Sequence, residues 1–305
     1  ILSLVKSTFL CYTEKVKMDF MCREGKENEK RMLDVKKIRL YLFDMDGTIY
    51  LGDNLFPFTK ELLKTIREKG NHYLFMTNNS SKSVSDYVKK LARLGIEATE
   101  DDFITSSQAT ADYLKKNLAG KKLFVSGTRS FLSELAENGV ENIHDSYSED
   151  IEAVVTGFDT ELTFAKLEAM SKLLTRDIPF IAANPDLVCP TEYGYVPDCG
   201  SVCAMITNAT GKKPYYIGKP RPEMPLFAIE RINKLDSRVC AENTLVVGDR
   251  IYTDIASGVN AGTKTLLVLS GETTLGQAKA HEIKSDAIFE DCGVILDILK
   301  GGEAK

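Results

Sequence analysis

Residues 38–43 constrain the chain most. Ile38, Leu40, Tyr41, Leu42 and Phe43 make a nearly continuous apolar run, the pattern of a strand buried on both faces of a parallel sheet. The run drives straight into Asp44, Asp46 and Gly47. Asp44 then falls at the strand's carboxyl end, the edge along which open α/β sheets bind ligands. Asp46 follows two residues on, and Gly47 lets the backbone turn sharply beside it. Two carboxylates this close repel unless a cation lies between them or one holds a proton. The stretch therefore asks for a metal ion, a shared proton, or both.

The rest of the chain sets bounds on what such a stretch can serve. A length of 305 residues suffices for two domains, or for one domain with a large insertion. A net charge of -5, with no basic cluster interleaved with aromatics, argues against a nucleic-acid partner. The seven cysteines are scattered and lack CxxC spacing, so neither a disulfide framework nor a zinc site is indicated; a reducing, cytoplasmic setting fits. No apolar run approaches the ~20 residues of a membrane span. Residues 1–36, dense in mixed charge after a short apolar start, read as a disordered lead-in or a non-native start.

From residue 37 an α/β alternation begins. Strands are expected at 38–43, 71–76 and 103–105, with amphipathic helices at 59–69, around Val84 to Leu94, and at 108–117. The second strand ends in Thr77, Asn78, Asn79, Ser80 and Ser81, which suit a helix N-cap cluster or an anion cradle. The pattern restarts near Lys121, with strands at 123–126, 153–157 and 180–183 and helices at 130–138 and 163–174. Residues 184–200 look too rich in Gly, Pro and Tyr for regular structure. A main sheet is expected to resume at Pro214. A strand at 215–217 delivers Gly218 and Lys219, and one at 244–247 delivers Gly248, Asp249 and Arg250, before a short helix capped by Thr253 or Asp254. Later strands follow at 266–268 and 288–289, with a closing helix at 294–299. The division is thus a core of 37–120 and 214–305, with 121–213 as an inserted α/β module.

Strands ending in Asp44 and Asp46, in Thr77 and Asn78, in Lys219, and in Asp249 and Asp254 would bring these groups to one sheet edge. Singly each is a weak signal, since an aspartate after a strand is more often a turn residue. Together they suit phosphoryl transfer. Three carboxylates suit Mg²⁺, a hard cation that prefers oxygen ligands. Asp44 is placed as nucleophile, and Asp46 as general acid and base. Gly47, Thr77, Asn78, Asn79 and Lys219 would hold the phosphate, and the Lys219 ammonium at ~4 Å would contribute about 4 kcal/mol.

The motifs DMDGT (44–48), TNNSS (77–81), GKP (218–220) and GDRIYTDI (248–255) resemble those of the haloacid-dehalogenase superfamily. NNSSKS, GVNAG (258–262), LSGET (269–273) and the long insertion resemble its subfamily IIA, whose members include 4-nitrophenyl, nucleotide, pyridoxal and phosphoglycolate phosphatases. The resemblance implies a Rossmann-like, doubly wound parallel core with an inserted α/β cap over the site, and a Mg²⁺-dependent phosphatase of small phosphorylated metabolites acting through an aspartyl phosphate. It makes Asp44 and Asp249 metal ligands, Asp46 a ligand through its carbonyl, Asp254 a support for the metal shell through water, and the cap the surface of a homodimer. It also makes 184–201 the substrate-specificity loop, with Asn184, Cys189, Pro190 and Tyr193 as its residues. No histidine stands there, which argues against pyridoxal phosphate. A phosphomutase of the same superfamily and a receiver-type phospho-acceptor domain are the rivals; the second needs no such insertion, and a dehalogenase is expected to lack Asp46. No P-loop, HExxH or GxSxG occurs.

Overall fold

The structure, a computed structural model, describes residues 33–78, 84–191 and 193–302. In chain order the strands are β1 (Leu40–Phe43), β2 (Tyr50–Leu51), β3 (Asn54–Leu55), β4 (His72–Thr77), β5 (Phe103–Thr105), β6 (Leu123–Ser126), β7 (Ile143–His144) and β8 (Ala153–Thr156). They continue as β9 (Phe180–Ala182), β10 (Val188–Thr191), β11 (Gly194–Pro197), β12 (Tyr215–Tyr216), β13 (Thr244–Gly248), β14 (Lys264–Val268) and β15 (Ala287–Phe289). Six form one parallel sheet in the order β15-β14-β13-β1-β4-β5. Five form a second parallel sheet in the order β12-β9-β8-β6-β7. This is the expected α/β architecture, a doubly wound Rossmann-like sheet with a second α/β layer inserted between β5 and β13.

β1 lies at the centre because its run is apolar on both sides. Tyr41 and Phe43 face one buried cluster with Phe75, Phe103 and Val247, against the helices Thr59–Glu68 and Gly293–Leu299. Leu40 and Leu42 face another with Leu74, Met76 and Ile104. That second cluster does not stop at the main sheet. It runs through Leu114 and Ala228, on the helices Ser106–Asn117 and Glu223–Asn233, to Val125, Val155 and Ile181 of the second sheet. The far face of the second sheet is covered by the helices Phe164–Leu173 and Cys199–Thr210.

Several expectations need correction. β12 pairs with β9 in the second sheet and not with any strand of the main one, so the main sheet resumes only at β13. Residues 184–200 are not irregular throughout: β10 and β11 form an antiparallel hairpin, followed by a helix from Cys199. A two-stranded ribbon leaves half its backbone N–H groups without ladder partners, so Pro190 and Pro197 fit there. Asp254 does not cap a helix. It lies in a π-turn, Ile251–Ile255, ahead of the helix Ala256–Ala261, which ends at Gly262 in the left-handed region. The lead-in lies outside the described residues up to 32. Its last residues are ordered by Val35, only 2% exposed, whose carbonyl accepts from the Tyr41 hydroxyl at 3.1 Å.

Candidate active site

The carboxyl edge of the main sheet carries three buried or half-buried aspartates. Asp44 leaves β1 with its N–H still bonded to Val247 O at 2.9 Å, so the strand ladder fixes where its side chain emerges. Asp249 leaves β13 and is wedged between glycines: a Cβ on Gly47 would lie 2.6 Å from Asp249 Oδ2, and one on Gly271 only 2.1 Å from it. Gly47 also has a φ of +86°, which an L side chain resists. Asp254 reaches back over Gly248, where any Cβ would lie 2.3 Å from its own Cβ. One ligand atom from each of Asp44, Asp249 and Asp254 lies within 4.8 Å of the others.

Lys219 fills the space among them. It is 3% exposed, and its three ammonium protons meet three acceptors: Asp44 Oδ1 at 2.6 Å, Asp254 Oδ1 at 2.6 Å and Met76 O at 3.2 Å. Burial pulls the lysine down, but Asp254 and Asp44 outweigh it and hold the ammonium charged. Burial pushes the Asp249 carboxyl up, and the charge of Asp44 adds to the push. Asp254 is likewise raised by burial, against the pull of Lys219.

The donor set fits a divalent cation. Three carboxylates and one ammonium leave an excess of two negative charges. Asp249 Oδ2 accepts from Glu272 N at 2.7 Å, whereas Asp249 Oδ1 is buried with no hydrogen-bond partner. An orphaned buried carboxylate oxygen is costly unless a cation meets it, and an all-oxygen set suits a hard ion such as Mg²⁺.

The remaining expected residues are arranged differently. Asp46 is exposed, and its Oδ1 accepts from Gly52 N at 3.1 Å, so its carboxylate is not one of the clustered three. Thr77 is buried and shares a hydrogen bond with the Tyr87 phenol. The Asn78 carboxamide, expected on phosphate, is spent on protein: Oδ1 accepts from Lys219 N at 2.7 Å, and Nδ2 donates to Lys219 O at 2.9 Å. Asn79 lies outside the described residues. In the cap, Asn184 is fully buried and braces the seam, donating to Asn78 O at 3.2 Å and accepting from Asp186 N at 3.0 Å. Cys189 is buried in β10, which also holds Pro190, and Tyr193 is 82% exposed at the hairpin tip.

Three groups were not expected here. Ser270 Oγ donates to Gly47 O at 2.6 Å, and with Gly271 and Glu272 it makes the 269–273 segment the cradle of Asp249. Arg250 pairs with Glu272 at 2.9 Å beside the site. Asp186, from the cap loop, sits near Lys219, Arg250 and Asp44; burial raises its carboxyl, and the two cations oppose that. The LSGET wording was the available signal for the first, but no spacing rule ties residue 270 to residue 47.

A family model described as haloacid dehalogenase-like hydrolase matches residues 41–141, and a second, HAD-hydrolase-like model matches 216–294. An acid sugar phosphatase of Staphylococcus aureus is 32% identical over 257 residues, 84% of this chain and 96% of that protein. The crystal structure of a 4-nitrophenylphosphatase from Thermotoga maritima superposes with a TM-score of 0.76 at 37% identity, covering 88% of this chain and 99% of the other. A glycerol phosphate phosphatase from Mycobacterium tuberculosis, solved in complex with magnesium, gives 0.77 at 30% identity, covering 87% and 78%. This chain belongs to the haloacid dehalogenase-like hydrolases, within subfamily IIA, and is a phosphatase of that family.

Proposed function

We propose that the protein is a Mg²⁺-dependent phosphatase of small phosphate monoesters with uncharged leaving groups, such as sugar phosphates, glycerol phosphate or aryl phosphates. The observation that carries this reading is the Asp44–Asp249–Asp254 cluster, within 4.8 Å, closed around a buried lysine. Asp44, Asp249, Asp254 and the Asp46 carbonyl would hold the cation. When bound it supplies positive charge, which neutralises the carboxylates and the phosphoryl oxygens.

The chain's own residues account for the chemistry. An Asp44 oxygen attacks phosphorus and forms an aspartyl phosphate as the P–O bond to the leaving alcohol breaks; Asp46 gives its proton to that alkoxide. Water then attacks phosphorus, its proton passes to Asp46, the Asp44–P bond breaks, and inorganic phosphate leaves. Lys219, held by Asp44 and Asp254, lends its charge to the transferring group. Gly47, Thr77 and the backbone amide of Asn78 would frame the remaining oxygens, with Asn79, outside the described residues, expected to join them. Asp46 is suited to its part by being exposed and outside the ion cluster, where it can exchange protons with solvent.

The cap loop supports the substrate class. A carboxylate at Asp186, near the nucleophile, repels a leaving group that carries its own carboxylate and accepts hydrogen bonds from hydroxyls. Glycerol phosphate is therefore preferred to phosphoglycolate. The same reading takes 37–120 and 214–305 as the core, except that β12 (Tyr215–Tyr216) joins the second sheet, and takes the inserted module as a cap that closes over the site. It assigns the chain to the cytoplasm, supported by five free cysteines among the described residues, four of them buried. It also pairs two copies through the cap, supported by Tyr193 and Tyr195, 82% and 70% exposed on one hairpin. Among the described residues no helix is long and apolar enough to cross a membrane.

The test is phosphate release from 4-nitrophenyl phosphate, glycerol phosphate and phosphoglycolate, with Mg²⁺ and with EDTA. Turnover that needs Mg²⁺, is lost in Asp44→Asn and leaves a phosphorylated enzyme in Asp46→Asn is the expected result. Turnover by Asp44→Asn at the wild-type rate would overturn the reading. A sedimentation mass of one chain would remove the dimer alone.

A further inference from the structure

We infer that Asn78 is a positioning residue for Lys219: its carboxamide replaces the strand pairing that this lysine lacks. The inference rests on the phosphatase reading above and goes beyond it.

Asp44 and Asp249 stand at the ends of β1 and β13, strands of the main sheet whose ladders fix their depth at the site. Lys219 comes instead from β12, the edge strand of the second sheet. Its approach is tied to that sheet as far as Ile217 N to Ala182 O at 2.9 Å and Gly218 N to Ala183 O at 2.8 Å. At Lys219 itself the backbone crosses to the core, and a side chain takes over. Asn78 Oδ1 accepts from Lys219 N at 2.7 Å, while Nδ2 donates to Lys219 O at 2.9 Å. One carboxamide thus meets both main-chain groups of one residue, as a neighbouring strand would.

The surroundings are built for this contact. Asn78 is 7% exposed. A Cβ on Gly218 would lie 2.7 Å from Asn78 Oδ1 and 2.8 Å from Ala183 O, so glycine is needed for the approach. The Asn78 carbonyl is held from both sides, by Ser106 Oγ of the core at 2.8 Å and by Asn184 Nδ2 of the module at 3.2 Å. With the backbone pinned, the lysine side chain spans to Asp44 and Asp254, at 2.6 Å each. Among the described residues, no other main-chain hydrogen bond ties Lys219 to the main sheet's carboxyl edge. An ångström of drift costs about 10²-fold in rate.

A double-mutant cycle on the full chain tests this, with Asn78→Ala, Lys219→Ala and the double variant. Turnover of 4-nitrophenyl phosphate and affinity for orthovanadate are read with Mg²⁺, and thermal melts check folding. Asn78→Ala is expected to lose about 10²-fold in kcat/KM in the wild-type background and nearly nothing once Lys219 is gone, because its second contact, Nδ2 to Asp186 Oδ1 at 3.4 Å, is long and contributes little. Equal losses in both backgrounds would mean that Asn78 touches phosphate or serves the fold generally, and would overturn the inference. So would no loss in the wild-type background. If Asn78→Ala melts below the assay temperature, the isosteric Asn78→Asp, which accepts from Lys219 N but cannot donate to Lys219 O, takes its place in the same cycle. A Lys219→Ala protein as active as wild type would instead sink the proposed chemistry.

Discussion

Gly271 controls Asp249 by leaving room for it, and replacing it with alanine isolates that effect. The added methyl would lie 2.1 Å from Asp249 Oδ2, 2.5 Å from its Cγ and 2.6 Å from its Cβ. Real Cβ atoms essentially never come within 3.0 Å of another heavy atom, so Oδ2 must retreat by 0.9 Å, the difference between 3.0 and 2.1. The clash with Asp249 Cβ means that a rotation of the carboxylate alone does not relieve it. Backbone at 249 or 271 must move, stretching the bond from Glu272 N to Oδ2, now 2.7 Å. A displacement near an ångström costs about 10²-fold in rate, or about 2.7 kcal/mol in barrier. The assay is kcat/KM for 4-nitrophenyl phosphate over a Mg²⁺ titration: Gly271→Ala should fall by that factor and need more Mg²⁺ for half its maximal rate. Stability should drop by about 1–3 kcal/mol in urea, the usual cost of overpacking. Gly276→Ala, on the neighbouring helix with nothing within 4 Å of its Cβ, should gain up to about 1 kcal/mol and keep full activity. If Gly271→Ala keeps kcat/KM within about threefold of wild type, under 1 kcal/mol, Asp249 is not held where the reaction needs it.

Other perturbations have equally definite outcomes. Mg²⁺ at ~100 times its Kd should stabilise the protein by about 2.7 kcal/mol, with EDTA reversing the effect. Asp249→Asn, which removes one of the crowded charges, should melt higher than wild type without Mg²⁺ and gain nothing from it; an equal Mg²⁺ response in both would refute the cation site. Burial holds the Asp198 carboxyl, 4% exposed at the start of the helix Cys199–Thr210, up to about 6 from an ordinary 3.8. The folded chain therefore binds that proton more tightly than the unfolded one. The stabilisation is full below pH 3.8 and is lost as pH rises to about 6. Asp198→Asn should be more stable than wild type above pH 6 by about 2–3 kcal/mol and no more stable near pH 4, and parallel stability curves would contradict the burial argument. Phe75→Ala, which empties a fully buried site beside Tyr73 and Phe103, should cost about 3–5 kcal/mol; a loss below about 1 kcal/mol would mean that the main sheet repacks.

The parts of the molecule that were legible beforehand are those where local pattern and tertiary role coincide. β1, β4 and β13 are buried on both faces, so their apolar runs announce themselves, and the polar residues that follow them must lie at one edge. β12 broke this logic. Two residues, Tyr215 and Tyr216, carry no mark of which sheet they join, and that choice is made by β9, far away in sequence. The hairpin of residues 188–197 was hidden by its prolines, which count against strands in general but not in a two-stranded ribbon. The helix Cys199–Thr210 was readable in part, from Asp198 before it, Val202, Cys203 and Ile206 on one face, and Gly211 after it. The role of the Asn78 side chain was not readable: an asparagine after a strand looks the same whether it faces a ligand or a backbone 141 positions later.

The cluster that joins Leu42 and Met76 to Val125 and Val155 has a mechanical consequence. Closely packed side chains slide past one another by small rotamer steps far more readily than they separate into water. Any movement of the inserted sheet that opens the way to Asp44 is therefore expected to be a small sliding along this seam rather than a gaping of two lobes. A protein engineer who excised the inserted sheet to widen that entrance would strip the seam bare, and would recover an adhesive half-molecule in place of a more permissive enzyme.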